Sequence, residues 1–125
     1  EAGAGESRYL PVPLSETETA ALIKAAKAAR TTVHAAVCAA ALLAVADIAG
    51  LRDDDPPVMM SSGHLASLRG RVDPVITDHQ LGGFITAYIV ETEVAARAAG
   101  ELPWELARTL KADLTTKSLT PAYFF

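Results

Sequence analysis

The amino-acid sequence predicts an α+β fold, a two-layer sandwich of helices on a small sheet. Three observations carry that prediction. Residues 15–30 and 102–114 repeat apolar side chains at helical spacing, residues 58–68 and 81–91 read as strands, and the two strands follow one another instead of alternating with helices. The predicted order is edge strand, helix, helix, strand, strand, helix.

The first six residues are small, polar and glycine-rich, and residues 1–7 read as a flexible lead-in. Residues 8–14, RYLPVPL, alternate bulky apolar side chains with Pro11 and Pro13, which remove ladder donors and confine a strand there to an edge. Ser15 with Glu18 three residues later forms a capping box and starts a helix that runs to Arg30. Ala20, Leu22, Ile23 and Ala26 are expected to face inward, and Lys24, Lys27 and Arg30 to face water. Thr31 and Thr32 break this helix and offer a new N-cap. The run that follows, VHAAVCAAALLAVA, is apolar nearly all round and predicts a helix buried on most sides, closed at Gly50.

Residues 51–57, LRDDDPP, form an acidic turn. Consecutive aspartates cannot all face one ion, so a solvated loop is expected. Residues 58–68 are the first long strand. A loop over 72–80 with the turn former Asp73-Pro74 then leads to the second, with which it is expected to pair as an antiparallel or crossover neighbour. In LGGFITAYIVE, residues 81–91, Phe84, Thr86, Tyr88 and Val90 share one face and Ile85, Ala87 and Ile89 the other, so both faces are expected to be mostly covered. Gly82 and Gly83 at the start of this strand allow a ligand or another backbone closer than a Cβ would permit. An Ala-rich segment reaches Gly100. Pro103 then opens a last amphipathic helix on which Leu102, Leu106, Leu110 and Leu114 lie four apart, with Trp104 and Ala107 beside them.

The chain has 125 residues, room for one domain with a hydrophobic core. Its net charge of −4 and lack of a basic cluster beyond Arg69 and Arg71 argue against nucleic acid as a partner. Cys38 reads as a small buried hydrophobe, which fits a reducing, cytosolic setting. The longest apolar stretch, residues 33–46, is shorter than the ~20 residues a membrane span needs, so no transmembrane segment is expected. The chain begins at Glu1 and closes on Tyr123, Phe124 and Phe125, which suggests a piece of a longer protein; a complete domain with its last aromatics docked on its own core is the alternative.

Three histidines bear on chemistry. None has another histidine at ligand spacing, and no metal site is expected. His34 reads as a satisfied core histidine or as an imidazole held by the Thr31 or Thr32 hydroxyl. His64, beside Gly63, would point at a crevice if that face is open and could then serve as a general base, but no serine elbow, cysteine nucleophile or flanking Asp-Gly accompanies it in the sequence. His79 reads as a solvated loop residue. Arg69, ending a strand before Gly70, could clamp a carboxylate or phosphate, or form a surface salt bridge.

The order of these motifs, a capped helix, TTVHAAVCAAALLA, a strand ending SLR, LGGFITAYIV and an amphipathic helix, resembles the start of the C-terminal lobe of the condensation-domain superfamily. Within it, the chain is most similar to polyketide-associated acyltransferases of actinobacteria, from about Arg8 to Leu119. The resemblance implies one lobe of a chloramphenicol-acetyltransferase-like fold, with a substrate tunnel between two lobes. It implies transfer of an acyl group from a CoA or phosphopantetheinyl carrier thioester to a hydroxyl or amine acceptor in lipid or polyketide biosynthesis, with no bound cofactor. The family's catalytic histidine belongs to an H-H-x-x-x-D-G motif that this chain lacks, so no catalytic residue is assigned. Arg69, Gly82, Gly83, Phe84 and Thr86 are the implied substrate-binding residues, and the N-terminal lobe and an acyl-carrier protein the implied partners. A non-catalytic module that binds a carrier protein or self-associates is the alternative, followed by a small hydrolase built on His64.

Overall fold

A computed structural model describes residues 8–96 and 103–118. In order, it contains helix α1 (Glu16–Ala28), helix α2 (Val33–Ile48), strand β1 (Val58–Ser67), strand β2 (Ile85–Val94) and helix α3 (Trp104–Ser118). This is a mixed α/β arrangement in which α2 and α3 pack on one face of a two-stranded antiparallel sheet. The lead-in, Leu102 and the terminal aromatics lie outside the described residues.

Local chemistry sets the helix ends. The Ser15 hydroxyl accepts from the Glu18 amide at 3.2 Å, while the Glu18 carboxylate accepts from the Ser15 amide at 2.8 Å. The bond from the Ser15 hydroxyl, and then that from its amide, hold the Glu18 carboxyl below the usual carboxylate range. Thr32 caps α2 through the Ala35 amide at 3.1 Å. Both helices close in Schellman motifs: Thr31 N–H to the Ala26 carbonyl after α1, and Leu51 N–H to the Ala46 carbonyl after α2. Gly50 supplies the left-handed residue after α2, but Arg30 does so after α1, at φ 59°. A side chain in that region costs more than glycine would.

The core gathers Ala35, Ala39, Leu42 and Ala46 of α2, Tyr88, Val90 and Val94 of β2, and Ala107, Leu110 and Leu114 of α3. Alanines on α2 let α3 and the sheet come close. The buried Thr31 hydroxyl donates to the Ala107 carbonyl at 2.8 Å, tying the α1–α2 turn to α3. No single helix among the described residues is long and apolar enough to cross a membrane.

Four expectations are corrected. Residues 8–14 form no strand; they are exposed and irregular, because the prolines leave only one edge able to pair and no described strand lies along it. Strand β2 is covered on one face only: Tyr88, Val90, Thr92 and Val94 are buried, whereas Ile85 and Ile89 are 56% and 59% exposed. Helix α2 likewise buries one stripe and leaves Val37, Val45 and Ile48 in the open, because a single layer of neighbours covers only one side of a helix. On α1, Ala20 and Ile23 are exposed. That helix leans on α2 through Ala26, with Leu22, Ala25 and Ala29 half-buried.

Candidate functional site

Two groups of side chains carry chemical interest, one at the start of β2 and one between α2 and β1.

At the start of β2, the 70–82 loop folds back on Arg69. Its guanidinium donates to the carbonyls of Thr77, Gln80 (2.8 Å) and Gly82 (3.4 Å). It also lies over the Phe84 ring, 5.0 Å from the centroid. The planar fork is occupied by carbonyl oxygens of its own chain, so in this arrangement Arg69 holds the loop in shape, and no aspartate or glutamate among the described residues forms an ion pair with it. Gln80 returns a carbonyl to the Thr77 amide at 2.6 Å and closes the loop tip. A 470 Å3 cleft opens between Arg69 and the loop, with His79 on its wall.

The two glycines differ. At Gly82, φ is 149° and a Cβ would come within 2.9 Å of the Phe84 ring, so the absent side chain makes room for Phe84. Gly83 has open space around it. Thr86 sits on the helix-facing side of β2, opposite Ala66 and half-buried. Arg69, Gly82 and Phe84 are thus brought into contact, with Gly83 adjacent and Thr86 two residues further along the strand.

The second group was not assembled by reading the sequence. His64 is 4% exposed and faces α2 instead of an open crevice. Its Nδ1 lies 3.0 Å from His34 Nε2, and its Nε2 lies 2.8 Å from the Ser62 hydroxyl. Cys38 Sγ sits 3.9 Å from His64 Nε2, and the Tyr88 ring flanks the imidazole with centroids 5.7 Å apart. His34 is therefore held by His64, not by a threonine: Thr31 is committed to Ala107 and Thr32 to its cap. Two spacings could have found the group, His34 and Cys38 four apart on one helix face and Ser62 and His64 two apart on one strand face.

Burial, followed by the nearby His34, pushes the His64 imidazole below its ordinary pKa, so His64 is neutral at pH 7. Burial pushes the Cys38 thiol up, only partly opposed by its hydrogen bond with Ser62. The thiol is thus protonated and a poor nucleophile. Ser62, His64 and His34 thus form a chain of polar contacts, and His34 lines a 350 Å3 cavity with Arg71 and Lys111. Among the described residues, no three His, Cys, Asp or Glu side chains converge closely enough to hold a metal ion.

The family described as the C-terminus of phthiocerol/phthiodiolone dimycocerosyl transferase matches residues 5–121. No curated protein and no solved structure matches the chain.

Proposed function

Because the chain belongs to the family of phthiocerol/phthiodiolone dimycocerosyl transferase C-termini, we propose that it supplies the C-terminal lobe of an acyltransferase. The whole enzyme takes an acyl group from a CoA or carrier-protein thioester and delivers it to a hydroxyl or amine acceptor in cytosolic lipid or polyketide biosynthesis. The observation that carries this reading is a family match running through nearly all of the chain, in the absence of any H-H-x-x-x-D-G motif. Catalysis then falls to an N-terminal lobe, whose histidine takes the acceptor's proton as the acceptor attacks the thioester carbonyl.

In this reading the chain is one lobe of a chloramphenicol-acetyltransferase-like fold and forms a tunnel wall. Gly83 leaves open space in front of β2, Phe84 and Thr86 continue the wall, and Arg69 and Gly82 shape the loop and seat the Phe84 ring. The open apolar face of the sheet, with Leu65, Ile85 and Ile89 on it, supports a neighbour there. That same face also favours a second reading, a non-catalytic module that binds an acyl-carrier protein.

The test is acyl transfer from a labelled acyl-CoA to a long-chain alcohol, with the chain alone and with a co-expressed lobe bearing H-H-x-x-x-D-G. Transfer only with both lobes present supports the proposal. Turnover by the chain alone overturns it, and a carrier protein captured without any turnover moves the assignment to the binding module.

A further inference from the structure

Residues 9–14 stand clear of the body: Tyr9, Leu10 and Val12 are 104%, 88% and 80% exposed. In an extended chain, successive residues turn their N–H and C=O groups to opposite edges. Pro11 and Pro13 share one edge, which therefore has no donors there, while Leu10, Val12 and Leu14 share the other and keep all of theirs. Such a segment can pair through one side only.

Strand β1 offers a matching edge. The bond from Leu68 N–H to the Phe84 carbonyl, with the β1–β2 register, turns the even-numbered residues of β1 toward β2. Met59, Ser61, Gly63 and Leu65 therefore turn their backbone groups outward, on the edge of a sheet with two strands. The outer edge of β2 is partly covered, since Lys117 donates to the Ile89 carbonyl at 2.7 Å. Gly63, midway along β1, has nothing within 4 Å of its would-be Cβ.

The side chains agree with the backbone. Residues paired across an antiparallel ladder share a face, so pairing Leu10, Val12 and Leu14 with the outward-turned residues of β1 sets three apolar side chains on the open face. Met59 and Leu65, 61% and 69% exposed, already lie on that face. Donor pattern and apolar pattern select the same arrangement independently.

We propose that residues 9–14 of one copy add as an antiparallel third strand to the outer edge of β1 in a second copy. Each chain carries both the strand and the edge, so the exchange is reciprocal about a two-fold axis. The proline edge then faces outward and ends growth at the dimer. This inference does not rest on the acyltransferase reading and is measured without an acyl donor.

The experiment is sedimentation velocity of the 125-residue chain over micromolar concentrations, beside Val12→Pro and the Pro11→Ala/Pro13→Ala double variant. All three substitutions lie outside the core, and far-UV circular dichroism checks that the fold is kept. The expected result is a concentration-dependent dimer. Val12→Pro removes a ladder donor and should raise its dissociation constant about tenfold or more. The double variant should retain the dimer and add larger species, because its outer edge regains donors. A monomer at every concentration, or a dimer indifferent to Val12→Pro, overturns the proposal.

Discussion

Over residues 85–90 the two faces of β2 are similar in apolar character and opposite in environment, before Glu91 and Glu93 turn the open face polar. Tyr88, Val90 and Val94 are sealed under α2 and α3, while Ile85 and Ile89 on the same strand are more than half exposed. Hydrophobic side chains on a strand record that a face can be covered, not that this chain covers it. Burial stabilises only where a second layer excludes water and supplies close contacts, and here the helices supply one such layer.

The largest effect should come from the sealed side. Leu110→Ala, removing a fully buried side chain, is expected to cost about 2–5 kcal/mol in urea unfolding. Ile89→Thr on the open side should stay within about 0.5 kcal/mol. If the two cost the same, the open face is covered in solution and the contrast disappears.

Acidification should weaken the same sealed layer at the junction of α2 and β1. His64 has its folded pKa depressed by burial, so the unfolded chain binds the proton more readily. The contribution is present above about pH 6.5 and is lost as pH falls from there toward the depressed folded value. Chemical denaturation between pH 7.5 and 5 should show that slope, and His64→Gln should flatten it. An unchanged slope would mean that the imidazole is solvated and the site open.

Thr92 sharpens the contrast from within the core, where its buried hydroxyl has no hydrogen-bond partner among the described residues. Thr92→Val keeps the shape and removes the stranded group, and a gain of about 1 kcal/mol is expected by thermal unfolding. The smallest expected gain belongs to the surface. Arg30→Gly relieves the left-handed residue that closes α1 and should add about 0.5 kcal/mol, measured the same way.

Much of the local structure was legible because its causes are local. The Ser15–Glu18 box, the Thr32 cap and the Gly50 stop each depend on residues within five positions of one another, and the sequence displays all of them. The strands were also legible, and their antiparallel pairing was one of two arrangements expected. The candidate site was less so. Arg69 and Phe84 were singled out, but not that the guanidinium would be taken up by carbonyls 8 to 13 residues away. The contact between His34 and His64 spans 30 residues and depends on how α2 lies against β1, which no spacing rule encodes.

By itself, then, the amino-acid sequence determined where helices start and stop, which residues alternate along each strand, and the order of motifs that marks the family. These follow from backbone hydrogen bonding and short-range sterics, whose partners lie within a turn or two. Tertiary structure alone decided which apolar faces are sealed, which imidazoles meet, and what Arg69 holds. Those outcomes depend on contacts between distant segments, where packing geometry chooses among faces of similar hydrophobicity.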